Sequence, residues 1–269
     1  MTILIITFLS TGLLSGLLAG LLGVGGGIII VPVSYFVLIS LGYSSDVVMH
    51  VSIASSIAII LFTSVSSIRS HLKFNNVDKR VIKKWFPGIM LGSFLGSVLA
   101  SKINGELLII IFVSLAFFIS MNMFFQQKIK TIKEDIPKSF LVNSIISGTI
   151  GLLSVIIGIG GGSFSVPTLS VFSKKIHQAV GTSAVLGFFI ALPGAISYIF
   201  LGLNVEGLPP YSLGYVNLLI LVLVSSTSIF TANIGAKLSS KIDKNSLKKI
   251  FAFFLLCTCV SLVIEHFVI

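Results

Sequence analysis

Apolar residues run along this chain in long unbroken blocks separated by short polar stretches. The blocks are Ile3–Leu22, Val47–Ile68, Ile89–Ser101, Leu107–Phe125, Phe140–Ile157, Ala179–Leu201, Tyr215–Ile234 and Ile250–Ile264. A helix needs roughly 20 apolar residues to cross the hydrocarbon of a bilayer. A membrane β-barrel would alternate apolar with polar positions, and these blocks do not alternate. Two shorter apolar segments, 28–41 and 163–172, each follow a glycine cluster. The first block lacks a basic leader and outruns the usual apolar core of a signal peptide, so it reads as a retained span.

Composition sharpens the picture. The chain has 269 residues, 55% hydrophobic and 10% charged, with a mean hydropathy of +1.11. A soluble domain carries about 25% charged residues. The net charge of +10 raises nucleic acid as a partner, but its placement points elsewhere. Seventeen of the eighteen Lys and Arg fall in four clusters between apolar blocks: Arg69–Lys84, Lys128–Lys138, Lys174–Lys175 and Lys237–Lys249. The clusters lack an aromatic interleaving suited to base stacking. This is the distribution of the positive-inside rule. The partner it implies is the lipid bilayer, and no nucleic acid.

Putting the four clusters on the cytoplasmic side fixes a topology. Both termini then lie outside, and only Lys102 of the basic residues faces out. Each half has five segments, four long and one short. An odd number inverts the second half, which predicts an inverted-topology repeat with a pseudo-two-fold axis in the membrane plane. Internal matches support duplication. Gly16–Pro32 laid on Gly151–Pro167, an offset of 135, agrees at nine of seventeen positions. Gly96–Phe112 laid on Gly235–Phe251, an offset of 139, agrees at eight of seventeen. The reading is residues 1–126 as the first repeat, 127–138 as a cytoplasmic linker and 139–269 as the second repeat.

The glycine clusters carry the candidate chemistry. "GVGGG" begins like a dinucleotide fingerprint, but its sixth position is Ile28, and Ser163 in the second copy. Both clusters end membrane-length blocks rather than strands, and no Gly-Lys-Ser/Thr follows, so a phosphate loop does not fit either. Consecutive glycines interrupt a helix, at about 1 kcal/mol each relative to Ala. Interrupted backbone at membrane depth is tolerated only when buried in protein or lining a wet cavity. Two symmetric interruptions mark the midplane site of many transporters. Helix starts there offer N–H groups and a positive dipole end to an anion. The structural alternative is close helix packing through small residues, to which "GLLAG" (Gly16–Gly20) belongs.

The candidate substrate-binding residues are therefore Gly25, Gly26, Gly27, Gly160, Gly161 and Gly162. Pro32 and Pro167 are expected to break the short helices that follow. Ser52, Thr182 and Ser183 are placed as hydroxyl donors at helix entrances, with a plain cap as the alternative. Asn233 is an amide deep in a span. His50 has no counterpart, since Gly181 stands at its aligned position. No Asp, Glu, Lys or Arg lies in the middle of a span, which favours a small anionic substrate over a cation and gives no support to a charged proton relay. Cys257 and Cys259, two apart, fall on different faces of a helix. No catalytic residues, no metal ligands and no cofactors are indicated, and the chain reads as a transporter rather than an enzyme.

Two apolar helices ending in Gly-x-Gly-Gly-Gly, each followed five residues later by Pro and then by a Thr-Ser-type helix start, resemble the TauE/SafE family over essentially the whole chain. The second half keeps the pattern closely, "GIGGGSFSVP" then "AVGTSAV"; in the first half Val51 stands where the pattern has Thr. The resemblance implies multi-pass anion transport in the cell membrane, with sulfite or organosulfonates as substrates. An anion channel, or a membrane subunit serving a partner protein, is the alternative. The expected fold is all-α, two inverted repeats of four long helices and one short helix each. With the native cysteines replaced, a cysteine at residue 76 is expected to label only from inside and one at residue 206 only from outside. The reverse labelling pattern would overturn this topology.

Overall fold

The computed structural model describes residues 2–23, 25–125, 135–172, 174–239 and 244–267. Most of the linker expected at 127–138, with Lys128, Lys130 and Lys133, lies outside the described residues, as does Lys241. Among the described residues are ten helices and one small hairpin. The helices are α1 (Thr2–Leu22), α2 (Gly27–Ser40), α3 (Ser45–Lys73), α4 (Lys79–Lys102), α5 (Gly105–Phe124), α6 (Phe140–Ile156), α7 (Gly162–Val171), α8 (Ile176–Gly202), α9 (Leu218–Leu238) and α10 (Lys244–Phe267). Strands β1 (Ser212–Leu213) and β2 (Val216–Asn217) pair antiparallel before α9. Helices α1, α3, α5, α8 and α9 are long and apolar enough to cross a membrane. Many large apolar side chains point outward, among them Ile3, Leu141, Phe200 and Phe230, an arrangement suited to lipid rather than water.

The sequence sets five of the helix starts in the same way. Ser44, Asp78, Asn104, Ser139 and Asn217 each accept a backbone N–H from the turn they precede, which satisfies donors that a helix start leaves unpaired. Two of the element boundaries that differ from the apolar blocks are set by caps. Helix α4 begins at Lys79, ten residues before Ile89, because the Asp78 cap starts the helix while its first turns are still basic. The block at Tyr215 opens as strand, and α9 waits for the Asn217 cap.

Helix α3 is the axis of the molecule. Its 29 residues span about 44 Å, and it packs against α2, α5, α8 and α9. Val48, Met49, Val51, Ile53, Ala54, Ile57, Ile59 and Ile60 are all completely or almost completely buried along it. Around this axis lie two close helix pairs, α1 with α9 and α4 with α6. Glycine ridges make both. A Cβ on Gly12, Gly16 or Gly20 would strike the α9 backbone, and one on Gly88, Gly92 or Gly96 would strike α6. Without an apolar driving force between helices in lipid, such backbone approach is what holds them together. Helix α5 pairs with α10, where Ser120 Oγ donates to the Ala252 carbonyl at 2.7 Å.

Loops are tied down at the polar ends. The Asp78 N–H donates to Thr182 Oγ1 at 2.9 Å, and the Asn217 N–H donates to Ser55 Oγ at 2.9 Å. His50 is held by three carbonyls, with Nδ1 3.0 Å from the Asp46 oxygen and Nε2 3.1 and 3.0 Å from those of Ala100 and Ile103. Its ring stacks on Tyr215. Lys174 sits between two carboxylates, 2.9 Å from Asp78 and 3.0 Å from Asp135.

Burial works against the charged form of the Asp78 carboxyl, but the Lys174 bond and the Val81 and Arg80 amides outweigh it, so its pKa is lowered. Asp135 is lowered chiefly by the Lys174 bond. The contribution of a lowered carboxylate is present above its ordinary pKa and is lost as pH falls through the folded value. Thermal unfolding in detergent is therefore expected to show stability falling below about pH 4. Lys174→Met should flatten that dependence, and an unchanged acid profile in the variant would contradict this role.

Candidate functional site

Two helices begin at a left-handed glycine and without a side-chain cap. Helix α2 starts from Gly26 at φ 79° and α7 from Gly161 at φ 53°, both left-handed, and neither start has a side chain bonded to it. Gly23, Gly25 and Gly158 are also left-handed, at φ 70°, 82° and 67°. L side chains rarely adopt this conformation, so the interruptions lie at the glycines. The helices run on through Pro32 and Pro167, each the sixth residue of its helix. The two prolines are not the break; each only removes one N–H from a continuous helix.

The two turns touch. A Cβ on Gly25 would lie 2.8 Å from Gly160 Cα and 3.1 Å from its nitrogen, with Ile60 of α3 at 3.3 Å. A Cβ on Gly27 would strike the Gly158 carbonyl oxygen, and one on Gly161 would strike Ile190 of α8. Only hydrogen side chains let these backbones meet, residues 135 apart in sequence but adjacent in space.

Serines from α3 and α8 hold the turns in place. Ser56 Oγ donates to the Gly158 carbonyl at 2.7 Å. Ser183 Oγ reaches the Gly23 carbonyl at a longer 3.4 Å. Gly23 and Gly158 are the equivalent residues of the two clusters, and each is met by a serine from the other half of the chain. Ser52, one turn from Ser56 on α3, is fully buried and its hydroxyl has no protein partner. Ser52, Thr182 and Ser183 do not stand at helix entrances: α3 starts at Ser45 and α8 at Ile176, so all three lie inside helices. Thr182 Oγ1 is engaged as acceptor for the Asp78 N–H.

Sequence reasoning passed over Ser163 and Ser165. Both hydroxyls are buried without a partner, and a Cβ on Gly161 would lie 3.6 Å from Ser165 Oγ. The signal was present in the repeat, where Ile28 and Ile30 occupy the matching positions. Asn233 lies apart from this group. Its side-chain oxygen accepts from Ser70 Oγ, and Ser70 is ten residues beyond Ile60 on α3, about 15 Å along the axis.

The residues assembled at the crossing are all uncharged. The amides of Gly161 and Gly162 turn back onto the Ile159 and Gly160 carbonyls; the remaining backbone N–H groups at the two helix starts, with buried hydroxyls beside them, offer donors and a positive dipole end to an acceptor-rich ligand. Among the described residues no group of three His, Cys, Asp or Glu is placed to hold a metal ion.

A family model described as sulfite exporter TauE/SafE matches residues 8–262. A probable membrane transporter protein of Haemophilus influenzae is 33% identical over 263 residues, 97% of this chain and 98% of that protein. The probable membrane transporter protein YunE of Bacillus subtilis is 27% identical, covering 94% of this chain and 95% of that one. The probable membrane transporter protein MJ0441 of Methanocaldococcus jannaschii is 26% identical, covering 84% and 83%. No solved structure matches the chain.

The two α3 serines are expected to behave differently. Ser56→Ala leaves the Gly158 carbonyl without that donor and should cost about 1–3 kcal/mol. Ser52→Ala removes a buried hydroxyl that bonds nothing in the protein and should leave stability unchanged or slightly raised, because an unpaired polar group is costly to bury. Unfolding of the two variants in detergent checks this, and equal losses would show that Ser52 is also structural.

Proposed function

This chain belongs to the sulfite exporter TauE/SafE family of membrane transporters, and from that premise we propose that it carries a small oxyanion across the cell membrane by alternating access. Sulfite or an organosulfonate fits the chemistry best. The observation that carries the reading is the contact between the Gly25 and Gly160 turns, with uncapped helix starts on both sides and unpartnered hydroxyls at Ser52 and Ser165. A neutral site built of N–H and O–H donors stabilises an anion without placing a fixed cation at membrane depth, where charge is expensive.

In this reading the backbone at Gly25–Gly27 and Gly160–Gly162 lines the substrate site, its donors being the amides of Gly25–Gly27 and Gly160, since those of Gly161 and Gly162 bond the Ile159 and Gly160 carbonyls; Ser52, Thr182 and Ser183 supply hydroxyls, joined by Ser163 and Ser165. The halves are related as inverted repeats. The packing supports this: Gly96 abuts the Leu152 backbone as Gly235 abuts Leu17, and Gly151 abuts Ile89 as Gly16 abuts Ser228. The sequence offsets of 135 and 139 carry each of these contacts onto its counterpart. The basic clusters face the cytoplasm and both termini face out, as their distribution favours. Rocking one half against the other about the glycine crossing exposes the site to each side in turn.

The test is counterflow of labelled sulfite in proteoliposomes holding the full chain. Saturable counterflow is expected from the wild type. Gly161→Val, which forces a Cβ into Ile190 at a left-handed residue, should reduce flux to background while the protein still inserts. Wild-type flux in that variant would remove Gly161 from the site, and single-channel currents in place of counterflow would replace the carrier with a channel.

A further inference from the structure

A second polar cavity lies between α3 and α9, away from the glycine crossing. Its volume is about 380 Å³, and its polar lining includes Arg69, Lys73 and Asn233, with Ser66 and Ser70 behind them. Ser66, Arg69, Ser70 and Lys73 follow at the three- and four-residue spacings that share one helix face; Ile229 and Asn233 do the same on α9.

The hydrogen-bonding groups of this cavity are committed in one direction. Ser66 Oγ gives its proton to the Ile229 carbonyl at 2.6 Å. Ser70 Oγ gives its proton to the Asn233 side-chain oxygen. That bond occupies the amide's acceptor and leaves its NH2 as the end available to a ligand. What remains for a ligand is the Arg69 guanidinium, the Lys73 ammonium and the Asn233 amide hydrogens, all donors. Among the described residues no carboxylate lies within ion-pair distance of Arg69 or Lys73, whereas Lys174 and Arg80 pair with Asp78 and Asp135. The complement of unneutralised cations plus an amide donor is a group with several acceptor oxygens and negative charge.

We propose that this cavity is a second oxyanion-binding site, distinct from the neutral crossing. Arg69 lies nine residues beyond Ile60, about 13 Å along α3, so the site stands on the same helix as the crossing and at its basic end. If that end is the inner mouth, as the proposed function has it, the site collects anions before they reach the crossing. The occupant is a sulfate-, sulfite- or phosphate-type group, supplied either free in solution or as a lipid headgroup.

Equilibrium binding to the full chain distinguishes these sources, because it requires no flux. The first arm titrates sodium sulfate, against chloride at equal ionic strength, into protein in an uncharged detergent. The second compares thermal stability in phosphatidylcholine nanodiscs with and without phosphatidylglycerol. In whichever arm wild type responds, Arg69→Gln and Lys73→Gln should each weaken the response about tenfold, the scale of one charge-assisted hydrogen bond. Arg69→Lys should lose less, and Arg80→Gln, outside the cavity, should lose nothing. Asn233→Asp keeps the side-chain shape and adds a negative charge, so it should abolish binding even where a double cation variant fails to fold. A response to sulfate assigns a free anion, and a response only to phosphatidylglycerol assigns a headgroup. No response in either arm, or equal losses from Arg80→Gln and Arg69→Gln, overturns the site. Absent sulfite counterflow with intact Arg69-dependent binding would overturn the transport reading and leave this one standing.

Discussion

The constraint on which this molecule depends is that peptide groups within a bilayer have no water to bond to. Continuous helices meet it internally, and an interruption has to be satisfied by other parts of the protein. The chain has two interruptions, and it satisfies them reciprocally. The carbonyl of Gly158 takes a proton from Ser56 of α3, and that of Gly23 is reached by Ser183 of α8. Each half thus completes the backbone of the other. The buried faces of α3 and α8 accordingly carry serine as well as isoleucine.

The two proposed ways of receiving a negative charge follow from the same constraint. At the crossing the available groups are dipoles: amides at helix starts and hydroxyls, which cost little to bury when they bond. At the basic end of α3 they are full charges, Arg69 and Lys73, which remain exposed. A cation buried beside Gly25 would carry a desolvation cost of several kcal/mol, whereas one at the helix end carries little and complements the negative end of the helix dipole. The distribution of charge along α3 is what those costs dictate.

Much of the architecture was legible because membrane helices must be apolar over their whole length. The long blocks, the two glycine interruptions and the short helices behind them could be read directly. The start of α4 could not, since the Asp78 cap begins the helix in basic sequence that hydropathy assigns to a loop. Pro32 and Pro167 were read as breaks, but the left-handed glycines before them already end the preceding helix. Of the candidate residues, Gly25 and Gly160 meet at the crossing, Gly27 abuts Gly158, and Ser183 reaches Gly23, while Gly26 faces Ser15 and Gly161 faces Ile190. Asn233 lies apart from them: depth within a span does not reveal which helix a side chain will face. Ser163 and Ser165 were passed over because, although the repeat sets them against Ile28 and Ile30, a serine in an apolar run can equally bond its own helix, and only the fold shows that these two hydroxyls lack a partner.

The residue at the head of α4 carries three loads at once. Asp78 caps its own helix through its carboxylate, pairs with Lys174, and gives its amide proton to Thr182 of α8. One residue is therefore a joint between α4, α8 and the segment before α8. A shift of α8 near Thr182 cannot be absorbed by a slack loop; it is delivered as a tug on the first turn of α4. Because α4 is zipped to α6 along its glycines, that tug displaces a two-helix lever rather than a single rod.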